Sequence, residues 1–320
     1  PDTRKPDILM PSPMMPLIVE QLESFGTLHK LWEAPDAEAE LARIAPRIVG
    51  MAAGFSHQKT DGAFMGRFPN LKIVSSFGVG YDHVDAAWAG KHGIVVTNTP
   101  DVLNEEVADT ALGLLLATVR RLPQADRYLR DGKWMRGPFP LSDSLRGKTM
   151  GILGLGRIGK AIARRAEACG LKVAYHGRSR QADVAYPYHA SLVEMARAVD
   201  ILMVITPGGP ATNKLVNAEV LEALGPKGVL INVARGSVVD EAALVAALQA
   251  GKISAAGLDV FEVEPCGPAE LIAMDNVVLL PHVGSASVAT RRAMAQLVVD
   301  NLVSFLSGKG ALTPVPEAGG

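Results

Sequence analysis

The chain has only two cysteines in 320 residues, Cys169 and Cys266. They form no ligand spacing and no disulfide framework, so two unpaired thiols in a reducing compartment are expected. Neither charge is in surplus: 32 Lys and Arg stand against 33 Asp and Glu. That balance leaves no global field to hold a nucleic acid or an anionic membrane, so any anion bound must be small and held locally. No apolar run approaches the ~20 residues of a membrane span and no basic-then-apolar leader is seen, so a cytoplasmic location without a membrane partner is expected. No metal site is expected either. What is present is core material: 48% of residues are hydrophobic and 20% charged. The length is better served by two domains of about 100–200 residues than by one core.

The first hundred residues alternate short apolar runs with helical patterns: "DILM", "MMPLIVEQLESFG", "RIVGMAA", "DGAFMGRF", "LKIVSSFG" and "GIVVTNT". Such alternation predicts parallel strands with crossover helices. A second series runs through "TMGILGLG", "LKVAYHG", "DILMVITP", "GVLINVAR", "AAGLDVF" and "NVVLLPH", with helical stretches such as "EAALVAALQAG" between. Its nearly all-apolar runs are those of strands covered on both faces. The expected fold class is therefore α/β, with two doubly wound parallel-sheet domains, Rossmann-like or flavodoxin-like, and a ligand cleft between them. Between the series, "NEEVADTALGLLLATVRRLPQADRYLRDGKW" has an acidic start and a basic end and predicts one long helix crossing between domains. "SASVATRRAMAQLVVDNLVSFLSG" predicts another, closed by Gly308 and returning the chain to the first domain, while "TPVPEAGG" reads as a loose end. The expected division is 1–100 with 288–320, and 101–287.

A glycine turn opens the second series. Gly154, Gly156 and Gly159 stand in GxGxxG spacing between an apolar strand and a helical pattern. Glycines allow a tight turn and close backbone approach, and the helix start offers unpaired N–H groups to a pyrophosphate. Gly154, Leu155, Gly156, Arg157, Ile158 and Gly159 are the expected dinucleotide cradle. About 20 residues on, where NAD sites place an acid for the ribose hydroxyl, the strand ends at Tyr175 and His176 and continues Gly177, Arg178, Ser179, Arg180. No carboxylate stands there. Two guanidinium forks and a hydroxyl suit a 2′-phosphate, which predicts NADP(H) in preference to NAD(H); a solvated basic loop is the alternative.

Three polar residues lie at or just beyond the ends of late apolar strands: Arg235 in "LINVARGSVVDE", Glu264 after "GLDVFEVEP" begins, and His282 in "VVLLPHVGSAS". Strand ends of a parallel sheet face the cofactor crevice, so a base, an acid and a cation are expected to meet there.

"GILGLGRIG", "NVARGSVVDE", "GLDVFEVEP" and "PHVGSAS", with "FGVGYDHVD" and "NEEVADTALGLLLA", resemble the D-isomer-specific 2-hydroxyacid dehydrogenase family over most of the chain. "HGRSR" and the sequence around Trp134 further resemble its NADP-dependent glyoxylate/hydroxypyruvate reductase branch. The resemblance implies reduction of a 2-oxo acid by hydride transfer, to the D-isomer where the product is chiral. A proton must then reach the new hydroxyl, and imidazole, with a reference pKa of about 6.5, is the usual donor near neutrality. His282 is accordingly expected as acid/base, Glu264 as its partner, and Arg235 as the grip on the substrate carboxylate.

The turn Gly78, Val79, Gly80 can present consecutive N–H groups to an anion, and the resemblance implies substrate contact there. Ser285 is a further candidate donor. By resemblance Asp259 meets the nicotinamide amide, Thr206, Pro207, Val233, Ala234 and Gly284 line the cofactor, and Thr110 reaches its phosphates. Core packing is the alternative for Val233 and Ala234. "MAAGFSHQ" is expected to line the substrate side-chain pocket, with Phe55 either closing it against bulky acids or stacking on an aromatic one. The resemblance also implies a homodimer through the cofactor domain, with Trp134 either reaching the neighbouring site or simply buried. Cys266, beside Glu264, has nothing that makes it a nucleophile.

Glyoxylate and hydroxypyruvate are the expected substrates, with phenylpyruvate-like acids second, and reduction is the expected direction. A non-catalytic dinucleotide sensor on the same fold is the rival from another class. A dehydrogenase of the same family acting on formate or phosphite is a second rival, which the resemblance disfavours because formate enzymes carry Gln where Glu264 stands; a methyltransferase would leave the three strand-end residues unexplained.

Overall fold

The structure is a computed structural model that describes residues 5–54, 59–265 and 267–318. Phe55 and Cys266 lie outside the described residues. The chain forms two compact units, one built from the residues up to Leu103 together with those from Ser287, the other from Asn104–Ala286.

The first unit carries five strands, β1 (Asp7–Met10), β2 (Thr27–Lys30), β3 (Ile48–Ala53), β4 (Ile73–Ser76) and β5 (Val95–Thr97). All are parallel, in the order β2-β1-β3-β4-β5. The expected strands are present. β2, "TLHK", was not anticipated: it is a half-exposed edge strand with one neighbour and needs no apolar run. Alternate residues of the central strands serve opposite faces. Leu9, Met51, Val74 and Val96 pack with Leu41, Ile44, Phe64 and Met65. On the other face Gly50 of β3 admits the helix Val288–Leu306, since a Cβ there would lie 3.1 Å from Leu306 and 3.4 Å from Leu302.

The stretch read as a loose end is docked. Val315 donates its N–H to Val96 O (2.9 Å), Pro314 pairs with Thr97 in an antiparallel bridge, and Val315 and Ala318 are buried. Val315, extended beside β5, and Ala318, at the end of the short helical turn Pro316–Ala318, fill the core edge that a polar tail would leave open.

The second unit carries β6 (Thr149–Leu153), β7 (Lys172–His176), β8 (Ile201–Val204), β9 (Val229–Asn232), β10 (Ala255–Leu258) and β11 (Val277–Leu279). They form one parallel sheet in the order β11-β10-β9-β8-β6-β7. Outside β7, Tyr188 makes a parallel bridge to Tyr175, with Tyr175 N donating to Pro187 O and His189 N to Tyr175 O (both 2.9 Å). The order therefore reverses between β6 and β8, the switch point at which strand ends open a crevice. Separate apolar clusters cover the two faces.

The long helix expected over 104–134 is broken. It runs Asn104–Val119, then Arg121 turns left-handed (φ 54°) and a second helix spans Leu122–Arg130. Pro123 is the cause: it has no N–H to donate, and its ring would strike the carbonyl of Val119 in a continuous helix. Among the described residues no helix is long and apolar enough to cross a membrane.

Candidate active site

The glycine turn leaves β6 beside the end of β8. Gly154 has φ 99°, and a Cβ on it would lie 2.8 Å from the backbone of Thr206. A Cβ on Gly159 would lie 2.3 Å from Gly154 O. Gly154 therefore lets the turn close on β8, and Gly159 lets the helix Arg157–Ala168 pack against the turn. At Gly156 a Cβ would meet nothing within 4 Å, so no packing within the protein explains that glycine. Gly156 is also the N-cap, and having no side chain it makes no cap bond to the helix start. Open space before a helix start that carries no side-chain cap is what a pyrophosphate requires, and the residues present fit the dinucleotide.

Leu155 is buried under the turn, Ile158 packs against the core, and Arg157 is exposed. Arg178, Ser179 and Arg180 are exposed directly beyond β7, and neither arginine has an ion-pair partner among the described residues. The nearest downstream acid, Asp183, pairs with Lys160 (3.1 Å). Gln181, which sequence reasoning missed, ties this basic loop to the glycine turn by donating Nε2 to Leu155 O (2.7 Å), while its N–H bonds Tyr175 Oη (2.8 Å).

The strand-end residues gather by local contacts. Asn232, buried in the last position of β9, donates to Arg235 O (3.0 Å) and accepts from Ala234 N (3.0 Å), so the chain folds back on itself and presents Arg235. Val233 and Ala234 are buried in this turn. The turn must be glycine at 236, where a Cβ would fall 1.8 Å from the Phe261 carbonyl carbon. That contact sets the Arg235 turn against the Phe261–Glu264 turn after β10. Glu241 accepts Glu262 N (3.1 Å), and Glu264 accepts Phe261 N (3.0 Å).

Glu264 Oε2 then meets His282 Nδ1 at 2.6 Å. Burial pushes the Glu264 carboxyl up. The His282 hydrogen bond, the Phe261 amide and the charge of Arg235 outweigh that and hold it below the ordinary glutamate value. Arg235 is thus near enough for its charge to act on Glu264.

His282 sits in the left-handed region, φ 54°. Asp259, buried at the end of β10, fixes it: Asp259 O accepts His282 N (2.9 Å), and its two carboxylate oxygens accept Val283 N (2.7 Å) and Gly284 N (2.8 Å). Burial raises the Asp259 carboxyl, against the pull of those two amides and of His282. Thr110, expected at the phosphates, donates to Gly284 O (3.2 Å) and holds the same loop from the helix Asn104–Val119. Ser285 follows, half-buried, and Thr206 and Pro207 follow β8, half-buried and exposed respectively. Trp134 is exposed in the short turn Lys133–Met135. Among the described residues no group of His, Cys, Asp or Glu is arranged to hold a metal.

In the first unit Gly78 has φ 142°, and the turn Gly78–Gly80 leaves β4 beside the exit of β5. Among the described residues the N–H groups of Val79 and Gly80 have no acceptor. Phe55 lies outside the described residues; of the segment expected to line the substrate side-chain pocket, residues 51–54 are described, and a Cβ on Gly54 would lie 3.5 Å from Met14.

The sequence model of the D-isomer specific 2-hydroxyacid dehydrogenase NAD binding domain matches residues 112–284. Glyoxylate/hydroxypyruvate reductase A HPR2 of Arabidopsis thaliana is 48% identical over 96% of this chain and 98% of its own. Hydroxyphenylpyruvate reductase of Plectranthus scutellarioides is 47% identical over the same shares, 96% and 98%. Among solved structures, an NADPH-dependent glyoxylate/hydroxypyruvate reductase from Sinorhizobium meliloti, in complex with NADP and malonate, superposes with a TM-score of 0.92. It is 54% identical and covers 98% of each chain. The chain belongs to the D-isomer specific 2-hydroxyacid dehydrogenase family of oxidoreductases and carries that family's nicotinamide-dinucleotide-binding domain.

Proposed function

We propose that this protein is an NADPH-dependent reductase of small 2-oxo acids, glyoxylate and hydroxypyruvate, yielding 2-hydroxy acids of the D series where chiral. The observation that carries the reading is the His282–Glu264 pair at 2.6 Å, set in a left-handed turn with Arg235 acting on it. The Asn104–Ala286 unit is the dinucleotide domain, and the other unit is the substrate domain.

The bound nicotinamide supplies the hydride. His282 keeps Nδ1–H on the Glu264 carboxylate and delivers the proton from Nε2 to the oxygen that becomes the hydroxyl. Glu264, its carboxyl held below the ordinary glutamate value, stabilises the imidazolium that serves as donor. Arg235 grips the substrate carboxylate with a fork that stays charged. The uncommitted amides of Val79 and Gly80 are further carboxylate donors, and Ser285 is an added hydroxyl.

NADP(H) preference is supported by Arg178, Ser179 and Arg180 and by the lack of a carboxylate at 177–180. A homodimer through the dinucleotide unit is supported by Leu122, Leu129, Trp134, Met135 and Leu141, all exposed within one stretch; Trp134 in particular would reach the neighbouring copy's site. A second reading, reduction of hydroxyphenylpyruvate-like acids, is favoured by the 47% identical Plectranthus relative.

A panel of 2-oxo acids assayed with NADPH and with NADH tests the proposal. Higher kcat/KM for glyoxylate or hydroxypyruvate than for aromatic acids is expected, with NADPH preferred. His282→Gln should lower turnover at least ~100-fold. Equal use of NADH removes the cofactor assignment, and a His282→Gln enzyme near wild-type activity removes the mechanism.

A further inference from the structure

The anion-binding turn of the first unit is oriented from one side only. A trans peptide is a rigid plane in which C=O and N–H point in opposite directions. Anchoring a carbonyl therefore aims the N–H of the next residue. Gly78 O accepts Thr99 N (2.9 Å), which fixes the plane that ends in the Val79 N–H. Gly78 N is itself taken by Thr99 Oγ1 (3.0 Å). Val79 O accepts Asn98 Nδ2 (2.8 Å), which fixes the plane that ends in the Gly80 N–H. Both carbonyls are held by the exit of β5, so both amides are turned from it, and neither amide has an acceptor among the described residues. The first anchor is a backbone bond, whereas the second is a side chain.

Asn98 is itself clamped. Thr313 Oγ1 donates to Asn98 O (2.7 Å), and Asn98 N donates to Thr313 O (3.3 Å). Thr313 in turn is held by the fully buried Asn301 of the helix Val288–Leu306. Asn301 Oδ1 accepts Thr313 N (3.0 Å), and its Nδ2 donates to Thr313 Oγ1 (2.9 Å). An unbroken run of hydrogen bonds thus leads from a buried helix through the docked tail to the turn.

We propose that Asn98 is a positioning residue for substrate carboxylate binding, aiming the Gly80 amide by holding Val79 O, and that Thr313 and Asn301 keep Asn98 in place. This rests on the assignment of Val79 and Gly80 as carboxylate donors. Asn98→Ala should raise KM for glyoxylate about tenfold, the effect of weakening one hydrogen bond to a charged group, with kcat kept within about twofold as for uniform binding. The dissociation constant of oxamate, a carboxylate that is not reduced, should rise by the same factor. Cofactor affinity should not change, because the dinucleotide turn belongs to the other unit. Thr313→Val, which keeps the shape and removes the hydroxyl, should shift KM the same way by less.

Unchanged glyoxylate KM and oxamate affinity in Asn98→Ala of unaltered melting temperature would overturn the proposal. So would an equal loss of oxamate and cofactor binding, which marks general damage. If Asn98→Ala does not fold, the same readings on Thr313→Val decide. Should the wild-type protein reduce no 2-oxo acid, the function proposed above fails, while oxamate binding by the wild-type and variant proteins still tests the role of Asn98.

Discussion

His282 is held at a backbone angle, φ 54°, that non-glycine residues rarely adopt and that costs on the order of 1 kcal/mol or more. Asp259 supplies the compensation, engaging three successive backbone N–H groups from 282 to 284. Glu264 adds an electrostatic constraint with a definite pH signature. Its carboxyl is depressed in the folded state, so its stabilising contribution is present above the unfolded value of about 4.3 and is lost as pH falls through the lower folded value. The stability difference between wild type and Glu264→Gln should therefore be largest near neutrality and shrink below about pH 4, measured by denaturant midpoints at a series of pH values. A difference that is constant from pH 7 to pH 3 would contradict the assignment. His282, Glu264 and Arg235 were legible because each is a polar residue just past an apolar run. Asn98, Gln181 and Thr313 were not, because their partners lie elsewhere in the chain and a polar residue in a loop has no local pattern to mark it.

The three glycines of the turn after β6 separate packing from binding. Gly159→Ala drives a Cβ to 2.3 Å from Gly154 O and should lower the melting temperature along with activity. Gly156→Ala meets no protein atom within 4 Å and should leave stability within about 0.5 kcal/mol, yet raise KM for the dinucleotide at least about tenfold by occupying pyrophosphate space. Comparable melting temperatures for the two variants would mean that the turn is not built as described. At this scale most strands were readable, because buried parallel strands must be apolar throughout. β2 was missed because an edge strand need not be. The break at Arg121 runs against the charge pattern of the stretch, because the missing donor of Pro123 overrides it. The docked tail was missed because two prolines among small residues look alike whether solvated or packed.

Over the whole molecule, the exposed apolar side chains between Leu122 and Leu141 are the surface on which the proposed dimer rests. Light scattering should give the mass of two chains, and a charge at Met135, as Met135→Glu, should shift it toward one; a monomeric wild type would set the dimer aside. Two tandem α/β series were legible because hydrophobic periodicity repeats. The outer position at Tyr188 was not, because a single bridging residue leaves no periodicity to read.

The first unit is assembled from two pieces of chain with the whole of Asn104–Ala286 between them. The intervening piece is synthesised before the second of these two, so the second sheet has every strand it needs while β1 to β5 still wait for Val288–Leu306, which packs its Leu302 and Leu306 on Gly50 and accepts the Ser75 hydroxyl at Val298 O (3.1 Å). At ~5–20 residues per second the delay is on the order of ten seconds or more. During that time the face of β3 and β4 that this helix covers stays unpacked, so the first sheet completes its core only after the second.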